Sequence, residues 1–352
     1  MKDYFEGAIL GAAIGDALGV LTTNLTKEDI KKYYKKEKID TFLDPCEKSI
    51  LPFLKKGMYS HKTQMLKMVL ENIVKYSYFN PYQYIEDLKK WVKDEKQHRY
   101  PSPGHLNAAL GYLNNYPSAE TKEIKELKKY AQENILDPKE EANIFEKIQI
   151  APVKSSDIDG ALPCLPFGLL KYYDLDSAYE MAYHFVSLTH NSDIVKDIGG
   201  VYAVAIALTV SHKFDFSKKE EKLGFIDELI SFSQEMEVKE HLNLLFEAIK
   251  KDYPPQKAQI ILGNSAYATE SFSLGIFYFL YYPLEFKKCV VEAINANFYI
   301  EGDMSAIGYI AGSLNGAYNG YSKIDKEFLD NLEDAYELKL LADKLYEIVE
   351  SH

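Results

Sequence analysis

Several short stretches of this chain place chemically able side chains among small residues. "GDALG" carries Asp16, "MYSHKTQM" carries Ser60, His61 and Lys62, and "SSDIDGALP" carries Ser155, Asp157 and Asp159; "SLTHNS" carries His190 and "EGDMSA" carries Asp303. Carboxylates and imidazoles in such settings suit acid–base work or the binding of a hard cation. Lys62 argues against any such cation bound within its own stretch. An ammonium about 4 Å from a divalent ion is repelled by roughly 8 kcal/mol at an effective dielectric near 20. Neutralising it at pH 7 costs about 4.6 kcal/mol from a reference pKa near 10.4. A softer ion on His61 lacks co-ligands, because one imidazole among hydroxyls is not a ligand set. Asp157, Asp159 and Asp16 could form a separate cation site, but the two loop aspartates read more simply as a solvated Asx turn opening a helix. Asp16 reads as a helix-end or hydrogen-bonding residue. Cys164 and His190 could be paired as nucleophile and base, yet Cys164 sits in the apolar run "ALPCLPFGLL" and reads as a buried small hydrophobe. His105, alone in "SPGH", reads as a surface histidine. There is no GxSxG, no P-loop and no GxGxxG opening a strand–helix unit.

The elements that must hold these residues are helical. In "KTQMLKMVLENIVKYSYF", Met65, Leu66, Val69, Leu70, Ile73 and Val74 make one apolar stripe, with Lys67, Glu71 and Lys75 opposite. "DIVKDIGGVYAVAIALTVSH" reads as a core helix with a small-residue face, capped near Thr189–Asn191. "SLGIFYFLYYPLEFKKCVVEAINANF" reads as a buried helix, a stop near Pro283 and an amphipathic helix. "KEFLDNLEDAYELKLLADKLYEIVESH" is expected to close the chain as one long amphipathic helix. "KEDIKKYYKKEK", "AETKEIKELKKYAQEN" and "KKEEKLGFIDELISFSQEMEVKEHL" are expected to be charged surface helices. No strand-like alternation, βαβ spacing, linker or internal repeat is present. The expectation is an all-α fold, a single compact domain over 1–352, with a site where helix ends and loops converge.

Composition narrows the function. The 352 residues are 47% hydrophobic and 27% charged, with a net charge of -12. Arg99 is the sole arginine, so an acidic chain lacks the bidentate reader of phosphates and guanines and is a poor nucleic-acid binder. Cys46, Cys164 and Cys289 are scattered without zinc spacing, which fits a reducing compartment. No signal peptide and no apolar run of membrane length is evident, so a soluble cytoplasmic protein is expected.

The order and spacing of the motifs resemble those of the ADP-ribosylglycohydrolase family. "GDALG", "YSHKTQM", "SPGHLNAAL", "SSDIDGALP", "LTH" and "EGDMSAIGYIAG" stand where that family carries GDAxG, YTDDTxM, a PGxGTxxAL turn, an NGxAMRxxPLG loop, LTH and GGDTDTxxxIAG. The resemblance runs from about Phe5 to Gly320. It implies a single orthogonal all-α domain, usually monomeric, that hydrolyses ADP-ribosyl bonds with two Mg or Mn ions. Carried over by position, the implied ligands fall on Thr23, Ser60, His61, Lys62, Asp303, Ser305 and Ala306. Of the carboxylates in the two paired motifs, only Asp303 remains. The loop that would hold a diphosphate starts at Ser155, with Asp157 and Asp159 in place of its glycines and Pro163 in place of its arginine. His190 in the LTH segment could meet a ribose or an adenine, or equally be a helix N-terminal residue hydrogen-bonded to the backbone. The resemblance thus implies the fold with a dismantled metal site, no metal cofactor, and an ADP-ribose-like ligand only doubtfully. A metal-independent or relocated-metal hydrolase is the alternative. If the fold is kept, Lys62 and Asp303 are expected to pair across the former metal cavity.

Overall fold

The computed structural model describes residues 1–94, 99, 103–115 and 155–351. Among these the chain is helical, with no strand; the nearest thing to one is an isolated antiparallel bridge between Asp157 and Tyr267. Leaving aside turns shorter than six residues, the helices are α1 (Lys2–Gly19), α2 (His61–Tyr76), α3 (Pro81–Lys93), α4 (Pro103–Asn115), α5 (Leu165–Leu170), α6 (Leu175–Val186), α7 (Asp193–Val210) and α8 (Lys219–Phe232). They continue as α9 (Met236–Lys250), α10 (Pro255–Leu262), α11 (Ala268–Tyr281), α12 (Phe286–Ile294), α13 (Met304–Asn319), α14 (Lys326–Asn331) and α15 (Ala335–Glu350). One connected set of buried apolar side chains runs from Phe5 to Val349.

The centre is the antiparallel pair α1 and α13. Glycines repeat every fourth residue on both, so the two backbones meet with no side chain between them. A Cβ at Gly15 would lie 1.9 Å from the Gly308 carbonyl oxygen, closer than any real contact. This register sets the last turn of α1, with Asp16, beside the first turn of α13, with Asp303 and Ser305. Both helices are buried nearly all round, as their uniformly apolar composition requires.

Two expected helices are broken. The segment 218–242 forms α8 and α9, because Ser233, Gln234 and Glu235 leave the helix to serve a buried carboxylate. Asp197 accepts from Ser233 Oγ (2.7 Å), Gln234 N (3.0 Å), Glu235 N (2.9 Å) and Tyr179 Oη (2.6 Å). The C-terminal segment forms α14 and α15, divided at Leu332–Asp334, with Asp334 left-handed at φ 53. There Asp334 takes Tyr59 Oη at 2.7 Å and Lys67 Nζ at 2.9 Å, while Glu333 forks with Arg99. In both places ion pairs and carboxylates, which leave no trace in hydrophobic period, end the helix. The segment at 27–38 is helical and largely at the surface, but only as far as Tyr34: a short helix, Lys27–Asp29, runs into a π-helical turn, Ile30–Tyr34. Helix α7 is capped at Ser192, a residue later than expected. The expected helix at 119–134 lies outside the described residues.

Candidate functional site

Helix ends converge on one buried spot: the end of α1, the starts of α2, α4 and α13, the turn at 157–164 and the strand of chain before α7. Ser60 caps α2, accepting from Lys62 N at 3.2 Å, and Asp303 caps α13, accepting from Ala306 N at 3.1 Å. Carboxylates and hydroxyls belong there, since the first N–H groups of a helix are orphaned and its dipole favours negative charge.

Asp16 is fully buried and accepts five hydrogen bonds: Ser60 N (3.0 Å), Ser60 Oγ (2.6 Å), Thr63 N (3.1 Å), Thr63 Oγ1 (2.7 Å) and Ser305 Oγ (2.5 Å). It clasps α1 to the N-termini of α2 and α13. Thr23 completes the clasp, with its Oγ1 accepting from Ser305 N and donating to Gly19 O, both at 2.9 Å. Ala306 contributes only its backbone N–H.

Lys62 lies between two carboxylates. Its Nζ is 3.0 Å from Asp159 Oδ1 and 3.2 Å from Asp303 Oδ2, with the lysine side chain 6% exposed. Burial opposes its charge, but Asp159, Asp303 and then Asp16 outweigh burial and hold it above the ordinary lysine range. Asp159 is buried too, yet Lys62 and His61 keep it well below the carboxylate range. Burial pushes the Asp303 carboxyl up, with Asp159 adding to it and Lys62 offsetting it only in part. One ammonium therefore serves two carboxylates, and Asp159 has the larger share.

Three imidazoles complete the chamber. His61 Nε2 meets Asp159 Oδ2 at 2.9 Å, and His190 Nε2 meets Asp157 Oδ1 at 3.2 Å. His190 Nδ1 meets Thr189 Oγ1 at 2.8 Å. The ring of His105 stands 6.2 Å from that of His61 and 5.2 Å from that of His190. His105 is fully buried, contrary to the surface position expected for it, and neither ring nitrogen has a hydrogen-bond partner among the described residues. Burial, then His190 and His61, push its pKa down to about 3, so it is neutral at pH 7. The close approach that buries it runs through Gly104, where a Cβ would lie 2.0 Å from His190 Nε2.

The expected solvated Asx turn is also corrected. Asp157 Oδ1 does accept from Asp159 N at 3.2 Å, and Ser155 Oγ donates to Asp157, but the turn is interior and Asp159 is 7% exposed. It is buried because its carboxylates have cationic or imidazole partners waiting. The structure does not assemble Asp157, Asp159 and Asp16 into a cation site: Asp16 is saturated by donors and Asp159 is held by Lys62 and His61. Among the described residues no three of His, Cys, Asp and Glu are placed to share a metal ion. Cys164 is fully buried with its thiol pushed well up by burial, and His190 is engaged by Thr189 and Asp157, so the two do not form a nucleophile pair. Among the described residues no helix is long and apolar enough to cross a membrane.

Comparison with known proteins gives the same architecture. The sequence profile of the ADP-ribosylglycohydrolase family matches residues 1–352. An uncharacterized protein of Archaeoglobus fulgidus is 28% identical, over 99% of this chain and 97% of its own. A solved structure described as an ADP-ribosylglycohydrolase-related protein complex superposes with a TM-score of 0.62 at 17% identity, covering 99% of this chain and 98% of that one. At such identity the likeness speaks for the fold alone.

Proposed function

This chain belongs to the ADP-ribosylglycohydrolase family, and we propose that it is a member in which a tethered ammonium stands in for the two divalent ions, leaving a binding or structural role in place of metal-dependent hydrolysis. Lys62 carries the proposal. Its Nζ sits 3.0 and 3.2 Å from Asp159 and Asp303, where the family pattern would put the ions. Bringing Mg or Mn to about 4 Å from a held ammonium costs roughly 8 kcal/mol per ion at an effective dielectric of 20. The remaining positions fit an ion no better. Thr23, Ser60 and Ser305 use their hydroxyls to join helices, Ala306 has none, and Asp16 already accepts more hydrogen bonds than the roughly four lone-pair sites of a carboxylate. An ADP-ribose-like ligand is disfavoured at the loop, where Asp157 and Asp159 would face its diphosphate. We read the chain as one domain, 1–352, acting as a cytoplasmic monomer without nucleic acid or membrane.

A second reading keeps catalysis, as metal-independent hydrolysis of an N- or O-glycosidic bond. It draws on Asp303, whose carboxyl burial pushes up, the direction a general acid needs. Titration with Mn2+ followed by electron paramagnetic resonance, alongside thermal shift with Mg2+, Mn2+, ADP-ribose and NAD, separates the possibilities. The tethered-ammonium proposal expects no saturable Mn2+ binding and no shift. A rise of several degrees with metal plus ADP-ribose would overturn it, because a ligand that binds only the folded state stabilises it. Release of ADP-ribose from a modified protein, abolished by Asp303→Ala, would establish the second reading.

A further inference from the structure

A pocket of about 460 Å³ opens on the outer face of α2, on the side away from Lys62 and outside the site described above. That volume lies within the range of small-molecule sites. Met68 and Trp91 supply its apolar lining, and the indole N–H donates to Gln64 Oε1 at 3.2 Å, which fixes the ring.

The charges on its walls are unequal in their commitments. Each cation is already held. Lys67 Nζ lies 2.9 Å from Asp334 and 2.7 Å from Glu337, Lys90 Nζ lies 2.8 Å from Asp87, and Arg99 forks with Glu333. An anion entering here would have to break those pairs. Glu71, an exposed lining residue, makes no ion pair among the described residues. Desolvation raises its pKa, with Glu337 and Asp87 adding to the rise, and Lys67 does not compensate. The lining therefore includes a carboxylate with no ion pair among the described residues and an indole, and both attract cations.

We propose that this pocket binds an organic cation, an amine or guanidinium on a short apolar body, with its charge at Glu71 and its body against Met68 and Trp91. The proposal is independent of whether the Lys62 site is catalytic.

Trp91 is the only tryptophan in the chain, so its emission reports on this pocket alone. The test is a titration of the full chain with agmatine, followed by tryptophan fluorescence and by calorimetry, with glutarate as the anionic contrast. Two variants accompany it: Glu71→Gln in the pocket and Glu28→Gln on an exposed turn elsewhere. The expected result is saturable agmatine binding, weakened about tenfold by Glu71→Gln, as loss of a charged hydrogen-bond partner predicts, and unchanged by Glu28→Gln; glutarate gives no signal. Absence of saturable binding by both methods overturns the proposal. So does equal weakening by the two variants, which would mean general attraction to an acidic protein.

Discussion

Replacing Lys62 by methionine tests the site most directly. The substitution keeps most of the stem and removes the ammonium that lies 3.0 Å from Asp159 and 3.2 Å from Asp303. Two buried carboxylates are then left with no shared cation, and one must take up a proton. Asp303 is the one expected to do so, because burial already pushes its carboxyl up. From a reference pKa near 3.9, protonation costs about 4 kcal/mol at pH 7 and about 1.5 kcal/mol at pH 5. Breaking a buried pair from one side typically costs 3–5 kcal/mol, the same range. The sign follows from linkage. Above the ordinary carboxylate range the native variant holds a proton that its unfolded chain does not, so its stability rises relative to wild type as pH falls. Urea denaturation at pH 7, 6 and 5 should show a deficit of about 3–5 kcal/mol at pH 7 that shrinks by roughly 2.7 kcal/mol at pH 5. The double variant Lys62→Met, Asp303→Asn needs no proton there, so it should recover much of the loss and flatten its pH dependence. A deficit at pH 7 below about 1 kcal/mol, or one independent of pH, would refute the idea that Lys62 neutralises this chamber.

His105, held neutral with a pKa near 3, should make wild-type stability fall as pH drops below 6.5, because the unfolded imidazole gains a proton that the folded one refuses. The slope attributable to it is about 1.4 kcal/mol per pH unit in that window; denaturation series for wild type and His105→Phe should differ by that slope, and parallel series would contradict the assignment. Asp16→Asn keeps the shape but presents an amide to donors at Ser60, Thr63 and Ser305. A loss on the order of 3 kcal/mol is expected from the donors left buried without an acceptor, read from the denaturation midpoint; a loss within error would mean that Asp16 does not clasp the helices.

How much of this could be read from the sequence depended on whether the information was periodic. The helices and the small-residue face of α7 follow from spacing, and so does the place of Asp16 at a helix end. The Lys62–Asp303 pair was legible because a lysine among carboxylate positions needs a partner, and one carboxylate remained. Asp159 was not legible as the second partner. Its loop looks polar and turn-forming, and nothing in periodicity says that a turn will be carried into the interior. His105 was misplaced for the same reason, since a histidine after Pro-Gly looks exposed until Gly104 is seen to make room for His190. The breaks before α9 and α15 were hidden because Asp197 and Arg99 act across large separations in the chain.

Those misses bear on the function, because Lys62 and Asp159 belong to two motifs that are far apart in sequence and adjacent in space. Lys62 alone, with the loop glycine still at 159, would have a single carboxylate partner in Asp303, which burial already disfavours as an anion. Asp159 alone, with a metal-binding carboxylate still at 62, would crowd one more negative charge into a site built of them. Together they offset each other: the lysine supplies the charge that Asp159 needs, and Asp159 is the first of the carboxylates, ahead of Asp303 and Asp16, that keep the lysine protonated. On the proposed reading the same pair would act twice on a diphosphate ligand, with a cation already committed to protein carboxylates in place of the divalent ions and a carboxylate where the phosphates would lie. On that reading, restoring a metal site needs changes at both positions, since removing the lysine alone leaves Asp159 and Asp303 buried without their shared cation, at about the cost worked out above for Lys62→Met.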